Sequence, residues 1–143
     1  MNVTIVGGGK VGTHLAKLLS AERHTVKVVE VRAEEARHLH KELPDQTVIT
    51  GSGTDPAVLE SAGVRRADVL AAVTGLDEVN LVATSLARFE FGVPRTIARV
   101  KDPANEWLFT EVMGVDVALN QANLMAHLIA EEMSLGNMMT LLK

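Results

Sequence analysis

The chain of 143 residues contains no cysteine and no tyrosine, one tryptophan and three phenylalanines. Without cysteine there can be no disulfide, no zinc–thiolate site and no thiol nucleophile, which fits a reducing compartment. With so few aromatics the core has to be aliphatic, built from Val, Leu, Ile, Ala and Met. A hydrophobic fraction of 47% makes that feasible. No stretch offers the roughly 20 apolar residues of a membrane-spanning helix. The start Met1-Asn2-Val3-Thr4-Ile5-Val6 lacks the basic, long apolar pattern of a signal peptide. Net charge is −4 with no long basic block. That argues against a nucleic-acid partner, because such affinity comes largely from Lys and Arg on phosphates. The expectation is one soluble, cytoplasmic domain over 1–143.

Strand-length apolar runs alternate with longer segments of helical period. Strands are expected at 3–6, 24–31, 47–50, 68–74, 95–100 and 115–119. Helices are expected at 11–21, 33–43, 55–62, 78–90, 105–113 and 121–135. Pro44 should stop the second helix, Pro56 should open the third and Gly63 should end it. Regular β-α alternation implies an α/β fold: a doubly wound parallel sheet of about six strands, with helices on both faces.

Gly7-Gly8-Gly9-Lys10-Val11-Gly12 satisfies G-x-G-x-x-G. The spacing alone is weak, but here a strand precedes it, a helix follows it and Glu30 lies 18 residues after Gly12. Gly7 would allow the tight turn, Gly9 the approach of a pyrophosphate, and Gly12 close packing of helix on strand. The helix start offers amides and partial positive charge to phosphates. Glu30 at the end of the second strand, flanked by Val31, should accept hydrogen bonds from the adenosine ribose. That favours NAD-type and other adenosine nucleotides over NADP. Arg32 works in the opposite sense, since arginine can receive a 2′-phosphate. A tight turn with no ligand is the plain alternative.

With the loop and Glu30 in place, the chain resembles the TrkA N-terminal domain family, also called RCK or KTN domains. The resemblance rests on Gly51-Ser52-Gly53-Thr54-Asp55, Leu59-Glu60-Ser61-Ala62-Gly63, Ala67-Asp68-Val69-Leu70-Ala71-Ala72-Val73-Thr74 and Asp77-Glu78-Val79-Asn80-Leu81. Ile97-Ala98-Arg99-Val100 and Leu108-Phe109-Thr110-Glu111-Val112-Met113-Gly114-Val115-Asp116 continue it across nearly the whole chain. It implies that Gly51, Ser52, Gly53 and Thr54 lie beside the adenine. Val73, Thr74, Gly75 and Asp77 should lie near the phosphates or the nicotinamide, with Asn80 close by. Arg99 should reach terminal phosphates, and Lys10 stands where relatives often carry a phosphate-directed Arg. The family often has Asp at the position of Ser52 and Asn at that of Gly75. The ligands implied are NAD or NADH, or else ATP, ADP or AMP. The partner implied is a membrane-embedded potassium transporter or channel subunit, reached at the inner face of the membrane. Many relatives continue into a smaller ligand-binding domain that this chain does not include.

Other chemistry is sparse. Asp77, Glu78 and Asn80 could meet a ligand end or a divalent ion, but Asp77 and Glu78 also suit helix capping and a first turn. None of His14, His24, His38, His40 and His127 pairs with another at i,i+4 spacing, so no metal site is expected. No Ser-His-Asp signature surrounds Ser20, Ser52, Ser61, Ser85 or Ser134. No catalytic residue is assigned. Leu124, Met125, Leu128, Ile129 and Met133 form a stripe on the last helix, with Met138, Met139, Leu141 and Leu142 beyond. The stripe suits core packing or, being Met-rich, a homodimer surface, and the resemblance points to the dimer. Two functions follow. One is a nucleotide-responsive regulatory subunit of potassium transport. The alternative is the cofactor half of an NAD-dependent oxidoreductase.

Overall fold

A computed structural model describes residues 1–141, with side chains through Met139. Leu142, named above in the apolar tail, lies outside the described residues, as does the side chain of Leu141. Six strands form one parallel sheet: β1 (Asn2–Val6), β2 (Thr25–Glu30), β3 (Val48–Thr50), β4 (Val69–Ala72), β5 (Arg95–Val100) and β6 (Val117–Asn120). The spatial order is β3-β2-β1-β4-β5-β6. The chain therefore winds outward one way from β1, then returns to β1's other side and winds outward again. The carboxyl ends of β1 and β4 flank the resulting crevice, where folds of this kind bind ligands.

Side chains alternate across a strand, and the sheet uses both faces. Val3 and Ile5 of β1 pack with Val26, Val28 and Val48 beneath α1 (Lys10–Ala21) and α2 (Ala33–Glu42). Val6 of β1 faces the other way. It packs with Leu70 and Ala72 beneath α3 (Pro56–Ser61) and α4 (Asp77–Ser85). Phe91 and Phe109 are the only aromatics in the buried core among the described residues, as the composition required.

The punctuation behaves as expected. Leu43 is extended ahead of Pro44, Asp55 caps α3 by accepting from the Ala57 amide at 2.9 Å, and Gly63 ends that helix at φ +75°. Three helices differ from expectation. The helix over 78–90 begins at Asp77 and widens at Leu86–Glu90 into a π-turn, in which the Phe91 amide reaches the Leu86 carbonyl. The wider turn carries Phe91 into the core, where the Arg65 guanidinium sits 4.9 Å from its ring centroid. The helix over 105–113 is instead two 3-10 turns, Pro103–Leu108 and Glu111–Met113. Extended Thr110 interrupts them, because Phe109 has to turn inward to cover Ala98 and Val100. The last helix, α5 (Gln121–Leu141), is longer than expected and exposed at every described side chain from Gln121 to Met139. No helix among the described residues is long and apolar enough to cross a membrane.

Candidate functional site

A cavity of about 450 Å³ opens over the glycine loop. It is bounded by the carboxyl ends of β1, β2, β4 and β5 and by the loop after β3. Of the sequence-predicted residues, Gly7, Gly9, Lys10, Val11, Glu30, Val31, Arg32, Gly51, Ser52, Gly53, Val73, Thr74, Gly75 and Arg99 line it. Gly8, Gly12, Thr54, Asp77 and Asn80 do not.

The loop glycines divide by what surrounds them. Gly7 takes φ +113°, a conformation that L side chains rarely adopt. A Cβ on Gly8 would meet Leu39 at 2.4 Å, and one on Gly12 would meet the Gly7 carbonyl oxygen at 1.7 Å. The backbone itself demands glycine at positions 7 and 12, whereas at Gly8 an added carbon would press on the tip of the Leu39 side chain. Gly9 is different: its backbone is ordinary, with φ −74° and ψ −161°, and the nearest group to an added Cβ would be Arg32 Nη2 at 3.9 Å. Nothing in the fold requires glycine there. Gly9 caps α1, whose first-turn amides have no intrahelical carbonyl to bond, and it faces the cavity.

Glu30 ends β2 and is only 3% exposed. Its Oε1 accepts from the Gly8 amide at 2.8 Å and from Arg32 Nη2 at 3.1 Å. Its Oε2 accepts from the Arg32 amide at 2.7 Å and from Arg32 Nε at 3.1 Å. Burial alone would raise the pKa of this carboxyl. The bonds from Arg32 and Gly8 outweigh burial and hold it below the usual value.

Asp77 and Asn80, expected at the ligand, turn inward. Asp77 accepts from the Lys101 and Asp102 amides at 2.7 and 2.9 Å and from Asn105 Nδ2 at 3.0 Å. It thereby ties the start of α4 to the chain leaving β5. Desolvation raises its pKa, but these bonds and the Arg99 charge bring it below normal. Asn80 is fully buried. Its amide nitrogen donates to the Thr74 and Arg99 carbonyls at 3.1 and 2.9 Å, and its oxygen accepts from the Thr74 amide at 2.9 Å. These two side chains fix the rim of the cavity without lining it. Thr54 likewise engages its own loop through Ser52 Oγ.

Val6, Val29, Leu76, Val79 and Lys101 line the cavity and were not foreseen. Lys101 had a legible signal, since it follows β5 at the carboxyl end, where every strand of such a sheet points toward ligand. Arg99 and Lys101, at the end of β5, bring positive charge to the side of the cavity away from β2 and Glu30, and Lys10 lines the cavity from the glycine loop. Arg99 Nε also donates to Gln121 Oε1 at 3.0 Å, so the first residue of α5 touches a residue of the cavity.

Fold and loop define a Rossmann-type domain of the nucleotide-binding class. The chain belongs to the TrkA-N domain family, whose model matches residues 3–121. It is 37% identical, over its whole length, to the Trk system potassium uptake protein TrkA of Mycobacterium tuberculosis, of which it spans 64%. The TrkA-N domain of the inner membrane protein YbaL from Escherichia coli superposes with a TM-score of 0.82 at 19% identity, covering 91% of this chain and 94% of that one. The GsuK channel bound to NAD matches 82% of this chain with 21% of its own length, at 27% identity and a TM-score of 0.70.

Proposed function

We propose that this chain is the nucleotide-binding domain of a potassium-uptake regulator. An adenosine nucleotide, NAD or NADH or else ATP, ADP or AMP, lies across the glycine loop with its ribose toward Glu30 and its phosphates over Gly9. Lys10, Arg99 and Lys101 meet its distal phosphates. Ligands that differ in that distal part bind the same cleft with different preference for two arrangements of a dimer, and such a difference in affinity is what shifts an equilibrium. The dimer forms through α5, and its membrane-embedded partner is a potassium transporter or channel subunit at the cytoplasmic face. Relatives named as potassium uptake proteins and a channel solved with NAD support this reading.

The observation that carries it is Gly9. Backbone contacts explain Gly7 and Gly12, whereas Gly9 has room for a side chain and lines the cavity at the start of α1, where a bare backbone lets a phosphate approach. Calorimetry with NADH, NAD, ATP, ADP and AMP on wild type and Gly9→Ala tests this. At least one nucleotide should bind saturably and lose tenfold or more in the variant, about 1.4 kcal/mol. Folding stability should change by no more than about 1 kcal/mol, the scale of an N-cap change. Absence of binding in wild type, or equal binding in both proteins, overturns the reading.

A further inference from the structure

Arg32 lies between β2 and α2 with its side chain 57% exposed, yet its guanidinium is turned back onto the buried Glu30. Two of the four donors on that carboxylate are backbone amides, Gly8 and Arg32. The other two are the Arg32 side-chain atoms Nε and Nη2. A carboxylate has about four lone-pair directions, so in this state Glu30 has none left to offer. A ribose diol can donate to it only after the guanidinium withdraws and vacates one direction on each oxygen. The two amides would still hold the carboxylate in place.

The same guanidinium neutralises Glu30 and so removes the repulsion that a lone carboxylate would exert on a phosphorylated ribose. It also runs alongside the glycine loop, 3.9 Å from where a Cβ of Gly9 would stand. Arginine carries five N–H donors in a fixed fork that matches phosphate geometry. The N–H groups beyond the pair on Glu30 are what a phosphate on the adenosine ribose would meet.

We propose that Arg32 decides which adenosine nucleotides enter the cleft. It occupies the place on Glu30 that an unmodified ribose diol needs, and it receives a phosphate carried on the 2′ oxygen. Diol nucleotides bind by displacing Arg32, whereas 2′-phosphorylated nucleotides bind onto it without breaking its pair with Glu30. This rests on the adenosine-nucleotide reading above and changes the ranking that Glu30 alone suggested.

The test compares AMP with adenosine 2′,5′-bisphosphate, which differ only in the 2′-phosphate, and NADH with NADPH in parallel. Affinities are measured on wild type, Arg32→Ala and Arg32→Lys, with thermal melts as a folding control. In Arg32→Ala, AMP and NADH should bind about threefold or more tighter, and the 2′-phosphorylated ligands about tenfold or more weaker, given two released charge-assisted bonds and one lost docking group. Arg32→Lys keeps the charge without the fork, so it should open the diol position while retaining part of the 2′-phosphate affinity. If the ratio of the paired ligands is unchanged in Arg32→Ala while wild type still binds them, the role of Arg32 is wrong and the nucleotide site stands. An equal weakening of both members also overturns it, because Arg32 would then act only as general positive charge. If no ligand in the panel binds wild type or variant, the site reading fails and this inference fails with it.

Discussion

The sheet body and helix α5 use the same apolar residues in opposite ways. In the body, Ile5, Val28, Leu59 and Leu70 have essentially no exposed surface. In α5, Leu128, Ile129 and Met133 are 52%, 54% and 66% exposed. Each buried side chain of that size contributes roughly 1.5–3 kcal/mol, so the body carries the means of its own stability. Among the described residues the outer part of α5 has no such support, and most helical stability in proteins comes from packing of an apolar face. What the body specifies by itself, α5 specifies only together with something that covers it.

The sharpest way to break the body's side of this contrast is at the α1–β1 contact. Gly12→Val would drive a branched side chain into the Gly7 carbonyl, which lies 1.7 Å from the position of the first added carbon. Neither side can yield, because one is backbone and the other a helix locked against β1. We expect a loss of about 3 kcal/mol or more, at or above the top of the usual overpacking range, read as a lower urea midpoint with the helical signal of the body lost. A variant of wild-type stability would show that α1 can slide on β1.

A smaller effect is expected where the body is held by polar groups. Asp77→Asn sets a side-chain amide against the Lys101 and Asp102 amides and keeps at most one useful acceptor. The expected cost at pH 7 is about 2 kcal/mol, in the range for unsatisfied buried groups. The sign of its pH dependence follows from the lowered folded pKa. The carboxylate's contribution is present above the unfolded value of about 3.9 and is lost as pH falls through the lower, folded value. The gap between wild type and variant in urea titrations should therefore begin to narrow as pH falls below the unfolded value of about 3.9 and close as it passes the lower, folded value. A gap that persists there would mean that Asp77 acts through shape and not through charge.

These two sites also mark where sequence reasoning reached and where it stopped. The order of strands and helices, the cap at Asp55 and the glycine loop are short-range features, carried by periodicity and by residues adjacent in the chain. The division within the loop is not short-range. Gly8 is crowded because Leu39 from α2 fills the space above it, and nothing near Gly8 in the sequence announces Leu39. Asp77 and Asn80 look like ligand-facing residues because they follow the end of β4. Apart from Thr74, their partners lie at 99, 101, 102 and 105, and only the pairing of β4 with β5 brings those atoms together. The segment 105–113 reads as a helix because its apolar spacing is helical, while the need to bury Phe109 against β5 is a tertiary demand that the spacing does not contain.

The α5 side of the comparison predicts the smallest change in stability and a large change in assembly. Leu128→Glu combined with Ile129→Glu alters side chains that are already half exposed, on a helix that joins the body through β6. Hydrogen exchange at the amides of β1, β2 and β4 should therefore shift by less than about 0.5 kcal/mol, as for surface substitutions. If a second copy covers α5, the mass measured by sedimentation should fall by half at concentrations where wild type is a dimer, since two charges cannot be buried unpaired in an apolar interface. The two readings separate the possibilities. Unchanged mass would exclude α5 as the dimer contact. Loss of protection in β1, β2 and β4 would mean that α5 folds back to cover the body, so the contrast between the two regions would not hold in solution. Halved mass with an intact body would show that Gln121, bonded to Arg99 at the cavity, begins an element whose fold depends on its neighbour.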